Sequence, residues 1–350
     1  MTIPLHSLSP ATDSTAPGWI VSPWFDLLFL VNATWPLFFL IAFSGEGFDG
    51  RDGIKFWQVF FVTTPHRWIT LFFVFLDRDR LKNQTAMFGG LAMVVFALCS
   101  ITLLTTGTLF CLLAVDYLWN AWHFAAQHHG VYRLFDRAGN IDPATVSGRS
   151  IWPFLEKILM RFFLLFVTAR VAGGTWSNSE LEEWLLKLDW VLLVAPAALL
   201  AGEALKPGPK NWGRKCYLLS VMSLYTCLLW AVHNNHPRAV LALTTASALF
   251  HATEYLALVS WSVHQRDRTR GSQLGWLHWF AGRWSLTLAA YIAILGIGGW
   301  LIEQKWIETW LFLNVIVAFL HYAYDGIIWK RPKKRSSNHR IAQHAEIVKS

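Results

Sequence analysis

The chain has 350 residues, 54% of them hydrophobic and 15% charged, with 21 Trp and 25 Phe. So apolar and aromatic a composition excludes an ordinary soluble domain and points to a multi-pass integral membrane protein, in the inner membrane if the source is bacterial. The net charge of +8 calls for no nucleic-acid partner, because basic loops beside a membrane and their attraction to anionic lipid account for it.

Apolar runs of about 20 residues, enough for a core about 30 Å thick, fall near 24–43, 54–76, 87–104, 109–129, 154–172, 187–205, 216–232, 238–263, 284–301 and 306–328. The expected fold is an all-α bundle of about ten transmembrane helices forming one integral domain, 21–330. It lies between a disordered cytoplasmic tail, 1–20, and a basic cytoplasmic tail, 331–350. With the N-terminus inside, the inside loops collect Arg78, Arg80 and Lys82, then Arg133, Arg137 and Arg149, then Lys206, Lys210, Arg214 and Lys215, then Arg266, Arg268, Arg270 and Arg283. The stretch Lys330–Arg335 adds more, whereas the opposite loops hold Glu46, Asp49 and Glu180–Glu183. Both termini are therefore expected in the cytoplasm. Residues 1–22 contain no Lys or Arg and no separate cleavable segment, so the first span serves as the insertion signal. Cys99, Cys111, Cys216 and Cys227 lie in apolar runs at no metal-like spacing and read as small buried hydrophobes. The fifth and sixth spans carry Arg161, Arg170, Lys187 and Asp189, whose long basic members can snorkel.

Four histidines sit at nearly the same depth in four separate spans: His66 in the second, His123 in the fourth, His251 in the eighth and His321 in the tenth. All four spans run from outside to inside. The distances to the first basic residues of the inner flanks (Arg78, Arg133, Arg266, Lys330) correspond to roughly 13 to 23 Å at 1.5 Å per residue. One compact site in a shared plane is geometrically allowed. A lone intramembrane histidine commonly ties two helices by a hydrogen bond, but four at matched depth point to a shared metal.

Helical periodicity gives each imidazole polar company. Asp116, Asn120, His123 and Gln127 form one stripe, and His251 shares a face with Ser247, Glu254 and Tyr255. Asn314, His321 and Asp325 align, as do Thr63, His66, Thr70 and Asp77. Such neighbours orient metal-bound histidines. Glu254, Asp325 and Tyr255 are the candidate catalytic residues, Glu254 and Asp325 as ligands or orienters, with Asp116 an outer acceptor. His128 and His129 lie about 140° and 120° around the helix from His123 at about 100° per residue. They join the candidate metal ligands only if the helix unwinds at HHG, or sit at an interface instead. His264 and His278 read as solvated, His233 and His236 as outer-loop residues, and His6 and His339 as tail residues.

Imidazole with carboxylate suits iron, and open positions on such a site are the mark of non-haem iron that activates dioxygen. Zinc fits the same ligands, but a site within hydrocarbon is reached most readily by lipophilic molecules and oxygen. The stretch HFAAQHH, His123–His129, is similar to the histidine boxes of membrane fatty-acid desaturases and of alkane or lipid hydroxylases. There the pair is preceded by a histidine two or three residues away, where four residues intervene here. The single histidines on separate spans resemble the Brp/Blh carotene-cleaving oxygenases. The resemblance covers these short segments and implies membrane-integral histidine-cluster iron oxygenase chemistry, mono- or dinuclear. The expectation is an oxidoreductase of lipid metabolism acting on a lipid-like substrate, with a ferredoxin-like or cytochrome electron donor if it is a desaturase. Two other classes stay open: a b-type haem electron-transfer protein with paired axial histidines, and a transporter or channel using the same intramembrane polar groups. Pro65 beside His66 is the one candidate helix break of the kind transporters use.

Overall fold

The computed structural model describes residues 17–44, 53–139, 151–173, 179–206 and 211–329. Residues 1–16 of the expected tail 1–20, the whole expected tail 331–350, and the loop charges Glu46, Asp49, Arg149 and Lys210 lie outside the described residues. Residues 17–20, inside the expected N-terminal tail, belong to the described structure. Ile20 is buried, and its N–H donates to Asp26 Oδ2 at 2.6 Å.

Among the described residues the chain is helical, with no strand. Helix α1 covers Pro23–Ser44 and α2 covers Ile54–Leu76. Helices α3, Arg78–Thr106, and α4, Phe110–Ala138, follow. Next come α5, Trp152–Gly173, and the paired α6, Ser179–Leu192, and α7, Val194–Ala204. The C-terminal half holds α8, Trp212–His233, α9, Pro237–Arg270, and the short α10, Trp276–Ala281. It ends with α11, Trp284–Lys305, and α12, Ile307–Ile328.

Seven stretches are long and apolar enough to cross a membrane: α1, α2, α3 from Gln84, the α6–α7 pair from Glu182, α8, α11 and α12. Helices α4, α5 and α9 have 29, 22 and 34 residues, so length is not what separates them from the seven. Their polar content is: α4 carries Asp116, Asn120, His123 and Gln127, and α9 carries His251, Glu254 and a charged end from Arg266 to Arg270.

Burial is inverted relative to a soluble protein. Leu104, Leu286, Ile294 and Met93 are exposed, while His128, His251, Glu254 and His321 are fully buried. An apolar outer surface and a polar centre are what a hydrocarbon solvent selects. Two of the charged residues of the fifth and sixth spans, Arg170 and Asp189, are paired inside the bundle, whereas Lys187 pairs with Glu183 at the exposed surface. Arg170 donates from Nε and Nη2 to the two oxygens of Asp189 at 2.8 and 2.9 Å. His233 Nδ1 lies 3.0 Å from the same carboxylate. Arg214, an expected loop charge, is instead buried at the start of α8. It donates to Asp136, to Tyr132 and, at 2.9 Å, to Glu156 Oε1, with Glu203 Oε2 at 3.0 Å.

Apolar side chains form three clusters. Helices α2, α4, α9 and α12 each contribute to two of them. These shared helices are the four that carry His66, His123, His251 and His321. Helix α9 packs against α1, α2, α8 and α10, and α12 against α2, α3, α4 and α11.

Candidate metal centre

The site begins with a break in α2. Pro65 has no N–H to give the carbonyl one turn back, and the helix opens into a π-helical stretch over Gln58–Thr63 immediately before it. Such bulges recur at functional sites. Within this irregular turn the Thr63 carbonyl accepts from His66 Nδ1. With the proton on Nδ1, His66 Nε2 is a bare lone pair, buried and without a hydrogen-bond partner.

His321 is set by a longer relay. Its Nδ1 lies 2.6 Å from Thr70 Oγ1, which is 2.7 Å from the Tyr255 hydroxyl. Tyr255 is in turn 2.5 Å from Asp325 Oδ1. An ionised carboxylate only accepts, so Tyr255 donates to Asp325, Thr70 donates to Tyr255, and His321 Nδ1–H donates to Thr70. The direction of the whole chain follows from its carboxylate end. His321 Nε2 is left as a lone pair facing inward, 3.1 Å from His123 Nε2.

His251 completes the group. Its ring stacks on Phe124 at 3.8 Å and 18°, and both its nitrogens are buried without a hydrogen-bond partner. Ring centroids are 5.2 Å apart for His66–His251, 5.1 Å for His66–His321, 5.1 Å for His123–His251 and 4.7 Å for His123–His321. The four imidazoles thus pack edge to face in one closed group. Ligand nitrogens of His66, His251 and His321 lie within 4.8 Å of one another, as do the ligand atoms of His123, His321 and Asp325. Asp325 Oδ2 is 3.8 Å from Nε2 of both His123 and His321.

This donor set fits a metal ion. With metal–imidazole bonds of about 2.1 Å, two ligands at a right angle sit ~3.0 Å apart and two at a tetrahedral angle ~3.4 Å apart. The 3.1 Å between the two Nε2 atoms belongs to that range. Burying the lone pairs of His66 and His251 with no donor costs free energy, and a cation at the centre would satisfy both.

The remaining candidates divide. Asp325 and Tyr255 are in the group. Glu254 is not, because at three residues from His251 it turns toward α8, while Tyr255, one position on, turns toward α2. Glu254 Oε2 lies 3.1 Å from His128 Nδ1, and the Tyr217 hydroxyl lies 3.2 Å from Glu254 Oε2 and 2.9 Å from His128 Nδ1. Helix α4 runs regularly through HHG, so the angular offset holds His128 and His129 off the tetrad. The His128 ring is 6.3 Å from that of His251. His129 has Arg161, Arg133, Lys157 and Glu156 as its charged surroundings. Asp116 Oδ1 is 2.8 Å from the Tyr322 hydroxyl, and the Tyr322 ring lies 5.0 Å from His123. Asp116 Oδ2 also lies 3.6 Å from Arg67. His278 is exposed and close to Asp267, apart from the site. Sequence reasoning missed Phe124, Tyr217 and Tyr322. Tyr322, next to His321, and Phe124, next to His123, had adjacency as a signal, but Tyr217 had none.

A cavity of about 680 Å³ opens on the group at His123, Tyr255 and Asp325. Its walls include Trp119, Trp122, Trp261 and Leu258. Comparison with protein-family models, with curated proteins and with solved structures finds no match for this chain.

Proposed function

We propose that this protein is a membrane-embedded non-haem iron oxidoreductase that desaturates, hydroxylates or oxidatively cleaves a lipid-like substrate. In this reading α4, α5 and α9 cross the bilayer with the seven apolar stretches, giving ten crossings and cytoplasmic termini. One observation carries the proposal: four buried imidazoles from four helices pack into one group beside a carboxylate and form two candidate ligand sets that share His321, and two of the four have Nδ1 committed elsewhere.

His66, His123, His251 and His321 would hold the metal through nitrogen, with Asp325 a fifth donor. Iron in a histidine and carboxylate set supplies dioxygen activation. The residues around it do the rest. Thr63 and Thr70 fix the tautomers of His66 and His321. Tyr255 gives its one O–H to Asp325 and so holds that carboxylate in place at the cavity wall. The tryptophan-lined cavity admits an apolar molecule and excludes bulk water. Zinc hydrolysis finds less support, since a site among apolar helices is reached most readily by lipophilic molecules and dioxygen. A haem would need trans imidazole nitrogens ~4 Å apart with a macrocycle between them. The 3.1 Å contact of His123 and His321 and their edge-to-face packing leave no such slot. A desaturase or hydroxylase would further require an external electron donor, whereas a cleaving dioxygenase would not.

Elemental analysis and an absorption spectrum of the purified protein test the reading. About one or two irons per chain and no Soret band are expected. Replacing His66, His123, His251 or His321 by Ala should each lower iron sharply, and His278→Ala should not. Full iron in all four folded variants would refute the site.

A further inference from the structure

The ends of α2, α3, α9 and α11 meet in a surface that the histidine group does not use. Helix α9 has 34 residues, roughly 51 Å at 1.5 Å per residue, and outruns a hydrocarbon core about 30 Å thick. Its charged end, Arg266 to Arg270, therefore belongs beyond the hydrocarbon. Gly271 and Gly275 follow at φ of 47° and 64°, left-handed values that glycine adopts freely, and they turn the chain back so that α10 lies across the neighbouring helix ends. A Cβ at Gly275 would stand 3.0 Å from that of Arg78, the first residue of α3. The Phe280 ring is 5.8 Å from Phe72 on α2, and Arg266 pairs with Asp77, the residue after α2. Helix α10 has two unlike sides. Leu274 just ahead of it and Leu277 within it are fully buried, and with Ala281 they join the apolar cluster of Ile69 and Phe73 on α2 and Tyr255 and Val259 on α9. Trp276 and Trp279, three positions apart and so on one face, are 70% and 67% exposed. Arg268, Arg283, Arg78 and Lys82 are exposed around them, while Asp267 is engaged by His278. Outward indoles among basic side chains are what the headgroup level of a membrane selects.

We propose that α10 and the basic residues around it bind the anionic headgroups of bilayer phospholipids, and that lipid held there clamps the ends of α2 and α9, the helices that carry His66 and His251. A soluble acidic partner would find the same cations, but two outward indoles level with the ends of four apolar helices fit a flat hydrocarbon boundary. The clamp follows from the other side of α10. Its buried residues pack on α2 and α9 together, so whatever holds α10 down resists separation of those two helix ends, and with it any change in the 5.2 Å spacing of the His66 and His251 rings. Lipid binding stands apart from the iron reading; the clamp rests on it, because retained iron is what reports the spacing.

The test has two parts, both on the full-length protein. In the first, phosphatidylglycerol and phosphatidylcholine are titrated onto detergent-solubilised protein and the bound lipid is read by native mass spectrometry. Phosphatidylglycerol should bind at least tenfold more tightly. Arg268→Gln and Arg283→Gln should each weaken it roughly fivefold, the factor that corresponds to about 1 kcal/mol per basic residue at an anionic surface. Lys187→Gln, an exposed basic position away from α10, should not. Replacing Trp276 and Trp279 together by Ala should weaken both lipids, and soluble glycerol phosphate should displace neither. Equal binding of the two lipids, undiminished binding in the arginine variants, or displacement by glycerol phosphate would each overturn the lipid surface. Arginine dependence without tryptophan dependence would overturn it too, in favour of a soluble acidic partner. In the second part, iron release to a chelator is timed in nanodiscs of phosphatidylcholine alone and with about one third phosphatidylglycerol. Release should be at least threefold slower with the anionic lipid, and Arg268→Gln combined with Arg283→Gln should abolish the difference. Equal release in the two nanodiscs would refute the clamp. The expected lipid binding by protein that holds no iron would sink the metal reading, and the clamp with it, and leave the lipid surface standing.

Discussion

Thr70→Val tests the relay that holds His321. Valine keeps the shape of threonine and removes only the hydroxyl that stands 2.6 Å from His321 Nδ1 and 2.7 Å from the Tyr255 hydroxyl. Two consequences follow. The Nδ1–H of a fully buried ring loses its acceptor, at a cost of about 1 to 3 kcal/mol for a buried unsatisfied polar group. The ring is also released to place its proton on Nε2, where it competes with the metal. Since the same penalty falls on the metal-bound form, in which Nδ1 must carry the proton, the expected loss in iron affinity is about 10 to 100-fold, the range typical of removing an outer partner of a ligating histidine. The assay is iron transfer to a chelator of known affinity, run alongside Thr70→Ser, which retains the hydroxyl and should stay within about threefold of wild type. Nitrogen NMR of labelled histidine reads the tautomer directly and should show the Nε2-protonated form appearing in apo Thr70→Val. Wild-type affinity together with an unchanged tautomer would show that the relay does not orient His321.

Further expectations concern the acids, the buried ion network and the topology. Asp325→Asn should fold and lose most of its iron, whereas Glu254→Gln should keep iron and lose thermal stability, because Glu254 serves His128 and Tyr217; the opposite pattern in metal analysis would interchange the two roles. Arg214→Ala should destabilise the fold by about 3 to 5 kcal/mol, as breaking buried ion pairs does, by stranding Asp136, Glu156 and Glu203; an unchanged denaturation midpoint in detergent would show these acids to be protonated or hydrated. Cysteines introduced at Lys210 and Arg268 should be labelled only from the cytoplasmic side and those at Asp49 and Ser179 only from the far side. Outside labelling at 268 in intact cells would remove the ten-crossing arrangement.

The four histidines were legible because a hydrocarbon solvent makes each one costly, so its mere presence in an apolar run carries information. Asp325 and Thr70 were legible for a related reason, lying one turn from a histidine on the same helix. The separation of Glu254 from Tyr255 was not, since two adjacent residues differ by about 100° in direction and only the neighbouring helices decide which of them faces the centre. His128 hinged on whether α4 unwinds at HHG, and the answer lay in tertiary contacts, above all the Tyr217 hydroxyl 89 positions away. Arg214 passed for a loop charge because the acids that receive it, Asp136, Glu156 and Glu203, come from three other parts of the chain. The apolar stretches were found with nearly their observed bounds, yet α4 and α9 extend well past theirs, polar helix ends having no hydropathy signal.

Helices α4, α5 and α9 have a consequence for biogenesis. A charged side chain near a helix centre adds about 2.5 to 3.5 kcal/mol to the insertion of an isolated segment, and these three carry Asp116 and His123 in α4, Arg161 and Arg170 in α5, and His251 and Glu254 in α9. Each is hydrophobic only in company: α9 beside α1 and α8, α4 beside α5 and α8. In the ten-crossing arrangement proposed above, insertion of these three helices into the bilayer and assembly of the histidine group are therefore one event, with the late helices α8 and α12 supplying partners to α4 long after it leaves the ribosome. In the interval α4 must be sheltered by the translocation machinery or wait at the interface. Truncations that end before α8 should accordingly be degraded as uninserted chains, even though every segment they contain is present in the stable protein.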